Sequence, residues 1–334
     1  MGKIIIVVAL IISVILVFGC ISGDTTKNSN FEESSVRLPI PVWNAWFAGF
    51  ASAADMNYYA DEGLNVTYNM GTPTLNPVKM VVSGTDDFGV LGGPDTLLVA
   101  RSKGAPIVAI AVIHHDKTFP CIATLKDSGL TSVKDLEGKK IGMFYGHIST
   151  DIIRALMKQE GVNYTEVDVG GYNYTPLISG QVDAEWCFIT DAVVNLKHEG
   201  VEVNVISPQD YGIVVDGYTL FTRQDVIDNN PEKVEKFLRA TLKGITYALK
   251  NEEATIEFLK KREPNLNPEL ERERFAIVHP AIDTQKSKEF GIGYMNEEMF
   301  QKAYDRMNAQ DLIENQFDIS DAYDTRFLEK IYSN

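Results

Sequence analysis

Cysteine is nearly missing, with 3 of 334 residues, at positions 20, 121 and 187. None of them forms a C-x-x-C spacing, so neither a zinc ribbon nor a disulfide-stapled scaffold is indicated. Cys121 and Cys187 are far apart, lie in apolar stretches, and read as buried inert thiols. Histidine is scarce too, 5 in all, and the adjacent His114 and His115 point to opposite faces of a strand, a poor start for a shared metal. No metal and no cofactor is expected. Positive charge is in deficit, 31 Lys and Arg against 46 Asp and Glu, for a net charge of −15. That balance argues against a nucleic-acid surface and against a basic grip on membranes. No G-x-S-x-G, H-E-x-x-H or P-loop spacing occurs, which leaves no nucleophile motif to build an enzyme on.

What is present is ordinary globular material, 45% hydrophobic and 23% charged, in a chain long enough for two lobes. At the start, Lys3 precedes an apolar run from Ile4 to Phe18 that meets Gly19-Cys20 and turns polar at Ser22. This is the pattern of an export signal over residues 1–20. Val17-Phe-Gly-Cys20 is similar to a lipoprotein box, in which Cys20 carries the lipid; an uncleaved membrane anchor is the alternative. Both place the domain at the cell membrane, tethered and facing outside. Residues 21–36, rich in Ser, Thr, Asn and Glu, read as a flexible tether.

The fold is then expected to open with a strand over Leu38–Trp43, followed by a helix to Asp61 that Gly63 stops. Strand Leu64–Asn69, helix Pro77–Ser83, strand Asp87–Leu91 and helix Asp95–Ser102 continue an alternation that predicts a mostly parallel sheet flanked by helices. Ser83-Gly-x-x-Asp and Ser179-Gly-x-x-Asp fall at equivalent helix-to-strand junctions, so the α/β plan is read twice. A first lobe covers residues 37–123, a second 124–216, and residues 217–334 return to the first and end in helices. Ile107–His115 reads as a strand leaving the first lobe, and Phe119–Leu125 and Gly217–Thr222 are the two expected crossings, a pair of hinge strands that permits one lobe to close on the other.

Thr131–Asp151 organises the second lobe: a short helix ended by Gly138, a strand Ile141–Phe144, a Gly146 turn, and a helix opening at Ser149, Thr150 and Asp151. Open α/β sheets bind ligands at such a junction, where backbone N–H groups and the helix dipole converge. Here Asp135-Leu-Glu-Gly-Lys-Lys-Ile-Gly resembles a landmark of the SsuA/THI5-like solute-binding proteins of ABC importers. Tyr58-Tyr-Ala-Asp-Glu-Gly-Leu-Asn-Val, Asp87-Phe-Gly-Val, Leu97–Val108 and Asn230-Pro-Glu-Lys-Val-Glu-Lys-Phe-Leu-Arg-Ala-Thr fit the same pattern in order, over about residues 38–260. The resemblance implies a type II periplasmic-binding-protein fold, an ABC permease and its ATPase as partners, a monomer, and a small solute held between the lobes.

The loops at the strand ends are aromatic and poor in Lys and Arg, which favours a flat ring held by stacking, a thiamin-type pyrimidine or a flavin. Trp43, Trp46, Tyr145 and Trp186 are the expected stacking residues, with Asn44, Gly93, Asp95, Ser149, Thr150 and Asp191 orienting the solute. The alternatives are a small anion such as an aliphatic sulfonate, taurine, nitrate or bicarbonate, and a pyrimidine-forming enzyme of the THI5 type. The opening typical of pyrimidine binders is reduced here to Trp43 and Asn44, and the cysteine-rich motif of the enzymes is absent.

Overall fold

Prolines decide where the first strand lies. Pro39 and Pro41 interrupt the stretch Leu38–Trp43 with residues that lack an N–H, so it cannot hold a ladder in a sheet interior. In the computed structural model, which describes residues 31–72, 75–115, 117 and 119–333, the strand forms just upstream, as β1 over Glu32–Arg37. That stretch was expected to be tether. Its six residues pair in unbroken parallel register with β2, Leu64–Asn69, and Ser34 and Val36 turn inward to 4% and 0% exposure. The leader, Cys20 and the first part of the tether lie outside the described residues.

Five strands build the first sheet in the order β2-β1-β3-β10-β4, with β3 at Phe88–Leu91, β4 at Ile107–His114 and β10 at Gly217–Arg223. β5 at Pro120–Leu125, β6 at Lys140–Met143, β7 at Thr165–Asp168, β8 at Ala184–Phe188 and β9 at Val203–Ile206 form a second, in the order β7-β6-β8-β5-β9. Each sheet is mixed. β10 runs antiparallel to β3 and β4, and β5 antiparallel to β8 and β9. The segments expected to be crossings are therefore sheet members; the chain changes lobe between β4 and β5 and again between β9 and β10.

The repeated Ser-Gly-x-x-Asp has a structural meaning. Gly84 and Gly180 end their helices with φ of 75° and 72°, the left-handed region glycine favours. Asp87, just before β3, accepts the Ser35 N–H of β1 at 3.0 Å, and Asp183, just before β8, accepts the Lys140 N–H of β6 at 2.8 Å. Each aspartate thus satisfies the neighbouring strand beyond the end of the ladder.

The C-terminal helices pack on the first lobe. The helix Pro231–Lys250 lies so close to the helix Ala48–Asp55 that a Cβ at Gly244 would stand 2.3 Å from the Gly49 carbonyl oxygen. That contact fixes the helix that follows Trp46. Among the described residues no helix is long and apolar enough to cross a membrane.

Candidate functional site

Where β4 and β8 lead out of their sheets, aromatic side chains of both lobes meet. Trp46, half-buried, follows Asn44, whose Oδ1 accepts the Trp46 N–H at 3.0 Å and so starts the helical turn Ala45–Phe47. The Trp46 ring lies 4.8 Å from His114 and 4.9 Å from Phe119, centroid to centroid. Its indole N–H donates to Thr190 Oγ1 in the second lobe at 2.9 Å. Phe188 continues the series, 6.2 Å from Trp46 and 5.5 Å from Trp186. Trp186 in turn lies 5.1 Å from His147 and 5.6 Å from Tyr172. The result is a chain of rings from one lobe to the other, with Phe188 at the junction and Tyr172, 44% exposed, at its open end.

Polar groups in this assembly are mostly neutral. Burial pushes His114 down to about 3 and His147 down to about 4, so both imidazoles are uncharged at neutral pH. His147 Nδ1 accepts the Ser149 N–H at 3.3 Å and caps the helix Ile148–Glu160, and its Nε2 lies 3.3 Å from the Tyr172 hydroxyl. The Trp186 indole N–H is buried and has no partner among the described residues.

Beside the rings, the widened helical turn Ile189–Val193 carries Asp191, which accepts from the Tyr174 hydroxyl at 3.1 Å and from Asn195 Nδ2 at 2.7 Å. Arg274, on the first-lobe helix Pro268–Ile282, reaches across: Nε donates to the Thr190 carbonyl at 3.1 Å and Nη2 to Asn195 Oδ1 at 2.7 Å. Glu271 pairs with the same guanidinium and also accepts the Ala45 N–H at 2.7 Å, which ties the Trp46 turn to this bridge.

The expected site residues divide. Trp46, Trp186, Ser149 and Asp191 come together at the lobe junction. Trp43 does not: it is 8% exposed inside the first lobe, edge-on to Tyr68 at 5.1 Å, with the Arg262 guanidinium 5.2 Å from its ring. The Asn44 turn rotates it away from Trp46. Asn44 and Thr150 spend their side chains on backbone caps, Thr150 donating to the His147 carbonyl at 2.7 Å. Tyr145 is 48% exposed and faces Arg154 at 5.8 Å. Gly93 starts the helix Pro94–Ser102 against the Asp216 carbonyl, where a Cβ would come within 2.5 Å. Asp95 is buried in an ion pair with Arg306 at 2.7 Å. Burial nonetheless raises its pKa, against the pull of that arginine. His147, Thr190 and Arg274 were not singled out; no local pattern marks them, because each acts through a contact made only in the folded chain.

Two five-stranded mixed sheets joined by two crossings, with rings and polar groups converging between them, define a two-lobed solute-binding architecture. The periplasmic-binding-protein fold is shared with solved structures. The sulfonate-binding protein SsuA of Methylobacillus flagellatus, described as putative, superposes with a TM-score of 0.70 at 18% identity over 91% of this chain and 94% of that one. The family model "NMT1/THI5 like" matches residues 44–255, and the chain belongs to that family. The formylaminopyrimidine-binding protein of Halalkalibacterium halodurans is 24% identical over 95% of this chain and 97% of its own. The riboflavin-binding protein RibY of Chloroflexus aurantiacus is 26% identical over 85% and 83%. A 4-amino-5-hydroxymethyl-2-methylpyrimidine phosphate synthase of Legionella pneumophila is also similar, 26% identical over 88% and 94%.

Proposed function

We propose that the chain is the solute receptor of an ABC importer, held at the outer face of the membrane by its N-terminal segment, and that it closes on a flat heteroaromatic solute for delivery to the permease. The observation that carries this reading is the ring chain Trp46–Phe188–Trp186–Tyr172, which spans both lobes. Stacking on such rings rewards a planar ligand. The Trp186 N–H, without a partner among the described residues, supplies directional hydrogen bonding without charge. Two similar proteins bind, by their names, ligands of that class, a formylaminopyrimidine and riboflavin.

A small anion fits less well. The arginines nearest the junction are already matched, Arg154 by Asp151 and Glu166, Arg274 by Glu271. An anion would have to rely on the helix end at Ile148, whose hydroxyls are engaged in capping. A synthase reading lacks the cysteine-rich motif those enzymes use; the two described thiols are buried.

Thermal unfolding of the purified chain against aminopyrimidines, riboflavin, taurine, alkyl sulfonates, nitrate and bicarbonate tests the assignment. A ligand at 100 times its dissociation constant adds about 2.7 kcal/mol of stability. A heterocycle alone should raise Tm. A rise with a sulfonate or nitrate alone would overturn the aromatic part while keeping the receptor, and turnover of a heterocycle would overturn the receptor.

A further inference from the structure

Cys121 on β5 and Cys187 on β8 stand directly opposite one another in the antiparallel register, and their sulfurs are 3.0 Å apart. The sequence separates them by 66 positions and gives no sign of the pairing. Directly opposed residues of such a pair have Cα atoms about 4.5–5.5 Å apart. A disulfide bridges Cα separations of roughly 4.4–6.8 Å. The sulfurs are closer than the ~3.5–4.0 Å at which non-bonded carbon atoms settle, and sulfur is the larger atom. Both side chains are buried, 1% and 0% exposed, among Ala123, Leu177, Ala192 and Leu196. Among the described residues no group of His, Cys, Asp and Glu could hold a metal, so the pair is not part of a metal site.

We propose that Cys121 and Cys187 form a structural disulfide that staples β5 to β8. The oxidant is an external disulfide, a low-molecular-weight one or that of a thiol oxidoreductase. One cysteine thiolate attacks it, forming a mixed disulfide and expelling a thiolate. The second cysteine thiolate then attacks the protein sulfur of the mixed disulfide and expels the other half. The external disulfide is reduced to two thiols, which take up the two protons, and the protein dithiol is oxidised. Burial raises the Cys187 thiol well above its ordinary range, so once packed that cysteine holds almost no thiolate. Exchange therefore belongs to the stage before β5 and β8 are covered, and the finished bond is shielded. Phe119, two residues before Cys121, and Phe188, next after Cys187, both contact Trp46, so the staple fixes the strands from which these rings extend.

The test refolds the full chain in a mixture of reduced and oxidised glutathione, then denatures, alkylates and maps the peptides by mass. The expected result is one linked pair containing Cys121 and Cys187, lighter by two hydrogens than the separate peptides, with Cys20 outside the link. Alkyl groups on both Cys121 and Cys187 would overturn the proposal, as would a link to Cys20. In the native oxidised chain, mild reductant should leave the link intact until denaturant is added; ready reduction would refute the shielded bond. Full reduction should lower Tm by roughly 5–10 °C, as for a long closed loop. An unchanged Tm would show that the link does not hold the lobe together.

Discussion

Trp43 and Trp46 share one short stretch and have separate tasks. Trp43 is packed against Phe47, Tyr68 and Arg262, so Trp43→Ala leaves a cavity and should cost about 3–5 kcal/mol of stability with the solute's dissociation constant nearly unchanged. Trp46 is half-buried at the lobe junction, so Trp46→Ala should weaken heterocycle binding roughly tenfold or more, about 1.4 kcal/mol, with a smaller loss of Tm. Calorimetry of both variants decides; tight binding by Trp46→Ala would remove the ring chain from the site. A second residue answers to pH. Glu185 on β8 is fully buried, and burial pushes its pKa up to about 8 against a weaker downward pull from the Leu177 backbone. The folded chain keeps this proton up to about 8, whereas the unfolded chain releases it near the ordinary ~4.3. Between those values the folded state binds more protons, so stability falls as pH rises, and the loss is complete above about 8. Glu185→Gln should therefore gain on the wild type from pH 5 to pH 9, by about 5 °C of Tm or more. A constant difference across that range would show that Glu185 is charged in the fold.

At the scale of elements, β1 shows what polar composition hides. Glu32-Glu-Ser-Ser-Val-Arg37 has only one strongly apolar residue, yet it lies between β2 and β3 and holds both by backbone pairing. Arg37 is anchored there by Asp86 at 2.7 Å. A chain begun at Leu38 would lose the strand that joins β2 to the rest of the first sheet. It should express as aggregate or melt without cooperativity, while a chain begun at Phe31 should give one sharp transition and a native near-UV spectrum. A cooperative melt from the shorter chain would show β1 to be dispensable. The stretches readable in advance were those whose signal is local: Leu64–Asn69, Phe88–Leu91 and the helix before Gly161 follow apolar period and glycine stops, and the twin Ser-Gly-x-x-Asp marks equivalent junctions. The site was readable only to the level of its loops. Which face Trp43 or Trp46 takes depends on the phase of the Asn44 turn, and the meeting of Cys121 with Cys187 depends on strand order, which no short window contains.

At the scale of the whole molecule, the proposed receptor would bind its solute according to how readily the lobes hold the arrangement in which Trp46 meets Thr190. Two kinds of contact favour it between the helix Pro268–Ile282 and the second lobe, and their exposure ranks them. Lys197 and His198 pair with Glu273 at the surface, where the Lys197 side chain is 65% exposed. Such pairs contribute about 0–1 kcal/mol and are screened by salt. Arg274, with a side chain 12% exposed, makes two hydrogen bonds across the junction, to the Thr190 carbonyl and to Asn195. Charged hydrogen bonds of this kind contribute more, about 1.5–3 kcal/mol each. Removing Arg274 alone would strand the buried Glu271 carboxyl, so the informative variant pairs Arg274→Met with Glu271→Gln. Loss of these bonds shifts the lobes toward separation, and affinity falls by the factor by which the closed population falls. The double variant should bind its solute at least tenfold more weakly and scatter X-rays as a more extended particle without ligand, whereas Glu273→Gln should stay within about fivefold. Equal effects from the two would mean that the surface pairs, and with them salt concentration, govern closure; no effect from either would assign the lobe arrangement to the two crossings alone.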